Sequence, residues 1–126
     1  MKILADSNIF VDFWKNPTNS MIDTFTNENV VVCGVIRAEL LHGAKSSKNL
    51  EEINSLLDEF EEITFDQSDW KMLGNELYQL RTNGITIPFG DAIIAHLAIR
   101  YHLKVWTRDK HFDLIKSVLT DLQLYE

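Results

Sequence analysis

The chain has 126 residues, 45% of them apolar, with 12 Lys and Arg against 19 Asp and Glu for a formal net charge of −7. That length and apolar content suffice for one buried core and predict a single domain over residues 1–126. The acidic balance excludes a protein that coats nucleic acid through a broad basic surface, and the longest apolar runs, Val30 to Ile36 and Ala92 to Ile99, are far shorter than the roughly 20 residues that span a bilayer. From the amino terminus, Lys2 to Ala5 predicts a short apolar strand. Asp6-Ser7-Asn8 then offers capping side chains to a helix over Ile9 to Trp14. Val30 to Cys33 is a β-branched run of the kind buried on both faces of a parallel sheet, broken by Gly34. Val35 to Ala44 and Leu50 to Phe60 predict consecutive helices, the second capped by Asn49 with Glu52 completing a capping box.

Ile63 to Phe65 predicts a short strand. Asp66-Gln67-Ser68 opens an amphipathic helix over Trp70 to Arg81 that stops near Gly84. After Pro88, Phe89 to Tyr101 is helical in pattern, Lys104 to Thr107 has the β-rich look of a strand, and Phe112 to Leu119 closes the chain as a helix. Strands alternating with helices predict an α/β fold with three α/β/α layers, a central mostly parallel sheet and right-handed crossovers. Cys33 lies in an apolar run and is expected to act as a small buried hydrophobe. No long apolar stretch precedes Asp6, so no secretion signal is expected and the predicted location is cytoplasmic, without a membrane partner.

Four acids stand out. In open α/β sheets ligands bind beyond the carboxyl ends of the strands, near a topological switch point, and Asp6 and Asp109 fall at or just past such ends. Each taken singly is explained by the preference of Asp for turns and N-caps. Glu39 shares a predicted helical face with Val35 and Ile36, so its carboxylate is expected among apolar groups, where it needs a charged or hydrogen-bonded partner. Arg37 is poorly placed to be that partner, since residues two apart on a helix do not face each other. Asp91 shares a face with Ile94, Ala95 and Ala98, and it also suits the first turn of its helix through the dipole.

Two carboxylates about 4 Å apart repel by about 4 kcal/mol at an effective dielectric of 20. Four such groups require a cation, and an all-oxygen site suits Mg²⁺, with Mn²⁺ as an alternative. The histidines His42, His96, His102 and His111 lack paired zinc-ligand spacing and are expected to be surface or packing residues. Arg37, Lys45, Lys48, Arg81, Arg108 and Lys110 are candidate phosphate contacts.

Four segments carry a resemblance: Leu4-Ala5-Asp6-Ser7-Asn8, Glu39-Leu40-Leu41-His42-Gly43, Gly84 through Ile87 to Asp91-Ala92-Ile93-Ile94-Ala95, and Thr107-Arg108-Asp109-Lys110-His111-Phe112. In order and spacing, over nearly the whole chain, they resemble PIN-domain ribonucleases of the VapC toxin type. The resemblance implies a metal-dependent endoribonuclease whose metal-binding acids are Asp6, Glu39, Asp91 and Asp109, with the Ser7 and Thr107 hydroxyls in support. It also implies a homodimer, an RNA substrate and a cognate antitoxin. The first three acids would hold the principal ion, with Asp109 completing the pocket. His96 stands where the family more often has a small residue. Asp113 adds an acid after the last motif, leaving open which of Asp109 and Asp113 is nearer the metal. A response-regulator domain would need a phosphoacceptor Asp on a middle strand, and Val30 to Cys33 ends at Gly34 without one. A catalytically silent RNA- or antitoxin-binding module is the remaining alternative.

Overall fold

Val30-Val31-Val32-Cys33 has no polar side chain to offer a solvent face, and it is buried along its whole length as strand β2 (Val30–Cys33). The computed structural model describes residues 1–126. Around β2 the chain forms β1 (Ile3–Ala5), α1 (Ser7–Lys15), α2 (Asn19–Asn27), α3 (Gly34–His42), α4 (Ser47–Leu57) and β3 (Glu61–Ile63). It continues through α5 (Asp69–Thr82), α6 (Phe89–Tyr101), β4 (Lys104–Trp106), α7 (His111–Val118) and β5 (Gln123–Leu124).

The strands form one sheet in the order β3-β2-β1-β4-β5, and every pairing is parallel. The register sets Ile3 and Leu4 against Val30 and Val31 on one side of β1, and Ala5 against Trp106 on the other. Right-handed crossovers put the helices that lead leftward from β1 (α1 to α4) on one face and those that lead rightward (α5 to α7) on the other. The helix packing agrees: α3 lies on α1 and α4, while α6 lies on α5 and α7. The expected three-layer architecture is therefore present, with a wholly parallel sheet. A core of 26 buried apolar residues runs through it, including Leu4, Ile9, Phe10, Val31, Ile36, Ile94, Leu97, Val105 and Phe112. Cys33 belongs to that core, and burial pushes its thiol up to about 11. No helix is long and apolar enough to cross a membrane.

Local departures from the sequence reading have physical causes. Helix α4 starts earlier than Leu50 and ends at Leu57, because its cap is Ser46 rather than Asn49. The Ser46 hydroxyl accepts from Asn49 N at 3.0 Å, while Asn49 Oδ1 reaches back past the cap and accepts from Lys45 N at 3.0 Å. Strand β3 pairs through Glu61–Ile63, so Phe65 lies beyond the sheet, with its ring 4.6 Å from Trp70 and 5.8 Å from His96. Helix α2 and the two-residue β5 have no counterpart in the sequence reading. The Thr18 hydroxyl caps α2, and Thr24 Oγ1 lies 2.9 Å from the hydroxyl of Tyr125, just beyond β5.

His96 is buried, on the face of α6 that meets α5. A carboxylate oxygen lies 2.6 Å from each of its ring nitrogens: Asp69 Oδ1 at Nε2 and Glu76 Oε1 at Nδ1. Asp69 is fully buried and also accepts from Arg100 Nη1 and the Asp66 amide, each at 2.5 Å. Burial pushes the Asp69 carboxyl up, but these hydrogen bonds outweigh it and hold the group below the usual carboxylate range. Its contribution to stability is therefore complete above about pH 3.9, the value of an unfolded Asp, and fades as pH falls through the lower folded value. Asp69→Ala strands His96 and Arg100 without their shared anion. Urea unfolding at neutral pH is expected to show a loss of about 3 kcal/mol, and a loss well under 1 kcal/mol would contradict this account of the α5–α6 interface.

Candidate active site

Strand β1 is the point at which the chain reverses its march across the sheet, going to β2 and β3 on one side before returning to β4 on the other. A crevice opens beyond the carboxyl ends of β1 and β4 in such a topology. Asp6 follows β1 directly, and its amide donates to Trp106 O, the last residue of β4, at 2.9 Å. Its carboxylate caps α1 through Ser7 N at 2.7 Å and accepts from Thr107 Oγ1 at 2.8 Å and Asn8 Nδ2 at 3.3 Å. Only 4% of Asp6 is exposed. The capping role and a role in the crevice therefore coexist in one side chain.

Thr107 bridges two of the acids, because its Oγ1 donates to Asp6 and accepts from Asp109 N at 2.9 Å. Asp109 Oδ1 in turn accepts from His111 N at 2.9 Å, folding the segment after β4 into a tight turn. The His111 imidazole then reaches back, placing Nδ1 at 2.9 Å from Asp91 Oδ2 and 3.2 Å from Asp109 Oδ1. Ligand atoms of Asp91, Asp109 and His111 all lie within 4.8 Å of one another. Asp91 enters from the first turn of α6, whose N-terminus lacks a side-chain cap. The positive end of that helix favours a carboxylate there.

Glu39 does not sit where its predicted apolar face placed it: the residue is solvent-exposed on α3. Its Oε2 lies 4.0 Å from where a Cβ on Gly90 would be, beside the residue that precedes Asp91. A Cβ there would also come 3.3 Å from Val35 Cγ1, so glycine lets the start of α6 approach α3 closely. Arg37 turns away and joins Glu62 at 2.9 Å, Asp58 at 3.0 Å and Asn54 at 2.9 Å.

Three acid groups are raised above their ordinary range. Burial is the main cause at Asp6, with Asp91 and Asp109 adding repulsion against the hydrogen bonds from Thr107 and Ser7. Partial desolvation raises Glu39, reinforced by Asp6 and Asp91 and opposed by Ser7. Desolvation also raises Asp91 together with Asp109, opposed by His111. Asp6, Glu39, Asp91 and Asp109 thus share one electrostatic neighbourhood, and a cation is what that neighbourhood favours. Carboxylate oxygens dominate the donor set, which suits a hard divalent ion.

Asn8 and His111 belong to this site although the sequence reading passed over both as site residues. Asn8 Oδ1 accepts from Arg108 N at 3.2 Å while its amide reaches Asp6, fastening the two strand ends together. His111 is half-exposed rather than a packing residue, His42 and His102 are exposed, and His96 is buried as described above. Asp113 is exposed, which leaves Asp109 as the acid in the cluster. Among the candidate phosphate contacts, Arg37 and Arg108 are bound to carboxylates and Arg81 lies over the Tyr78 ring.

The hydrogen bond to Asp91, and then the charges of Asp109 and Asp91, raise the His111 imidazole above 6.5. An imidazole raised in this way stabilises the fold fully below its unfolded value, and that contribution is lost as pH rises through the folded one. In a metal-free NMR titration the His111 ring is expected to change protonation above 6.5, and Asp91→Asn is expected to bring the midpoint down. A midpoint unmoved by that substitution would contradict the pairing.

The PIN domain family model matches residues 3–117. Ribonuclease VapC1 of Methanocaldococcus jannaschii is 25% identical over 126 residues, covering 99% of this chain and 88% of that protein. The fold is similar to that of DNA-bound VapBC from Salmonella typhimurium, with a TM-score of 0.85, 21% identity, and 99% and 97% of the two chains covered. It is also similar to VapBC2 from Rickettsia felis bound to a promoter DNA fragment, with a TM-score of 0.83, 22% identity, and 99% and 98% covered. The family match spans both strand ends that carry the acids as well as helices α3 and α6, so the chain belongs to the PIN domain family.

Proposed function

We propose that this chain is a metal-dependent endoribonuclease, served by Mg²⁺ with Mn²⁺ as an alternative, that acts as the toxin of a toxin–antitoxin pair. The observation that carries the reading is the convergence of Asp6, Asp91 and Asp109, with Glu39 at the open edge, on the crevice at the topological switch point. Similarity to a ribonuclease and membership of the PIN domain family support it. Residues 1–126 form its single nuclease domain. A homodimer, a cognate antitoxin and a cytoplasmic location complete the proposal, the antitoxin being suggested by fold relatives that include a toxin–antitoxin complex from Klebsiella pneumoniae.

Asp6, Glu39 and Asp91 would hold the principal ion, and Asp109 would complete the pocket. When bound, the ion neutralises the acids, offers a positive anchor for the scissile phosphate and makes water a competent nucleophile at neutral pH. The chain's own residues prepare this chemistry. Thr107 and Ser7 fix the carboxylate of Asp6 through hydrogen bonds at 2.8 Å and 2.7 Å, so its oxygens do not wander as charge develops. Asp109, whose side chain is 34% exposed, is open to orient the attacking water. His111, bonded to both Asp91 and Asp109, keeps those two carboxylates together when no substrate is present.

Purified protein incubated with total RNA and Mg²⁺ is expected to produce discrete new ends, mapped by sequencing, that vanish with chelator. Asp91→Asn is expected to lower the cleavage rate about a thousandfold, in keeping with the loss of several kcal/mol of charge stabilisation. Cuts that survive in this variant would contradict the site assignment. A wild-type protein that binds RNA or an antitoxin but never cleaves would establish the silent module instead.

A further inference from the structure

A groove of about 750 Å³ runs from the acidic crevice between α1, α3 and α4. Ser7 and Glu39, already placed at the crevice, line one end of it, and Trp14 and Lys15 line the other. Ser7, Val11 and Trp14 are spaced four and three residues apart on α1 and form one stripe along the groove. Seven residues of helix separate the ends of that stripe by about 10 Å. Trp14 is 40% exposed, its ring centroid 6.0 Å from that of Phe10, which seats one side of the indole on the core. An aromatic face open to solvent and fixed from behind is the arrangement on which a nucleobase stacks.

Two lysines and two glutamates, Glu39 and Glu52, share the groove with this face. Lys15 and Lys45 both line the groove, and neither is within ion-pair distance of a carboxylate. Arg37, Arg100 and Arg108, by contrast, are each committed to acids. The backbone carrying Lys45 is pinned by its 3.0 Å hydrogen bond to Asn49 Oδ1. In a chain of net charge −7 this lining is locally neutral, with the two lysines set beside an exposed indole and next to the acids. Backbone phosphates matched to the lysines and a base matched to the indole describe a single strand of nucleic acid.

We infer that the α1–α3–α4 groove is a nucleotide subsite of the nuclease, in which Trp14 stacks a base next to the scissile phosphate while Lys15 and Lys45 hold the flanking phosphates. The inference rests on the ribonuclease reading, and it makes Trp14 a specificity-determining residue that stands outside the acidic cluster. Stacking tolerates any base but favours the larger ring systems, so the subsite prefers a purine beside the cut.

The test pairs Trp14→Leu, which keeps an apolar side chain and removes the π face, with Trp14→Phe, which keeps a ring. Trp14→Leu is expected to raise KM about tenfold with kcat little changed and to relax the base preference beside the cut, while Trp14→Phe stays close to wild type. Lys15→Ala together with Lys45→Ala is expected to lower the slope of log affinity against log salt by about 0.7 for each lost contact. Direct binding is read from the quenching of tryptophan fluorescence when mixed-sequence single-stranded RNA is titrated into the Asp91→Asn protein. Trp14→Phe in that background is expected to abolish most of the quenching. Unchanged KM and cut positions in Trp14→Leu, or quenching that persists without Trp14, would overturn the subsite. Variants that weaken antitoxin binding while leaving every RNA parameter intact would also overturn it and assign the groove to the protein partner. If the wild type cleaves no RNA at all, the nuclease reading fails, and the fluorescence titration still decides whether Trp14 stacks bases.

Discussion

Carboxylates held side by side repel, and at about 4 Å each pair costs about 4 kcal/mol at an effective dielectric of 20. Much of the architecture at the carboxyl ends of β1 and β4 keeps such a cluster together. Asp6 is held by the cap of α1, by Thr107 and by Asn8, and Thr107 and Asn8 in turn hold the segment that carries Asp109. Asp91 arrives on the positive end of α6, which Gly90 allows to lie close against α3. The sheet order makes this meeting possible, because only at the switch point do adjacent parallel strands send their following segments to opposite faces.

A second ionic cluster, between α5 and α6, shows what the first lacks. There Asp66, Asp69 and Glu76 face Arg100 and His96, so the acids have basic partners and the buried Asp69 is held below the usual range. At the crevice Asp6, Glu39, Asp91 and Asp109 have only His111 within ion-pair distance, and three of the four are raised. A network in which every acid meets a basic partner reads as structural bracing. An unbalanced one on the same helix, opening on solvent, reads as a site that takes its cation from outside. Helix α6 belongs to both, with Asp91 in its first turn and His96 and Arg100 farther along, so the bracing fixes the helix that presents the acid.

Local sequence signals account for much of this arrangement, and tertiary contacts account for the rest. Wholly apolar β2 and the capped amphipathic helices carry strong local signals, and their placement followed. Helix α2 did not, since only Met21 and Thr24 of its nine residues are buried and most of the rest are polar. The cap of α4 was displaced because Ser46, Asn49 and Glu52 offer alternative pairings three residues apart, and only the fold selects the first pair. The stripe argument for Glu39 fails outright: the residue is exposed, and what gives it interest is its approach to Gly90 and the raised group it shares with Asp6 and Asp91. His111 carries no helical or zinc-type spacing. Its place depends on an Asp turn in which Asp109 accepts from the amide two residues on, a contact that an Asp-Lys-His order permits but does not require.

The four acids are proposed to form a cation site that destabilises the fold while its charge is unmatched. Thermal denaturation of the wild type and of Asp6→Asn, each with and without Mg²⁺, measures that cost. The wild type is expected to gain stability from Mg²⁺, while the variant melts about 3 °C higher than the wild type without metal and gains nothing from the ion. A variant that still gained stability from Mg²⁺ as the wild type does would contradict this cation site.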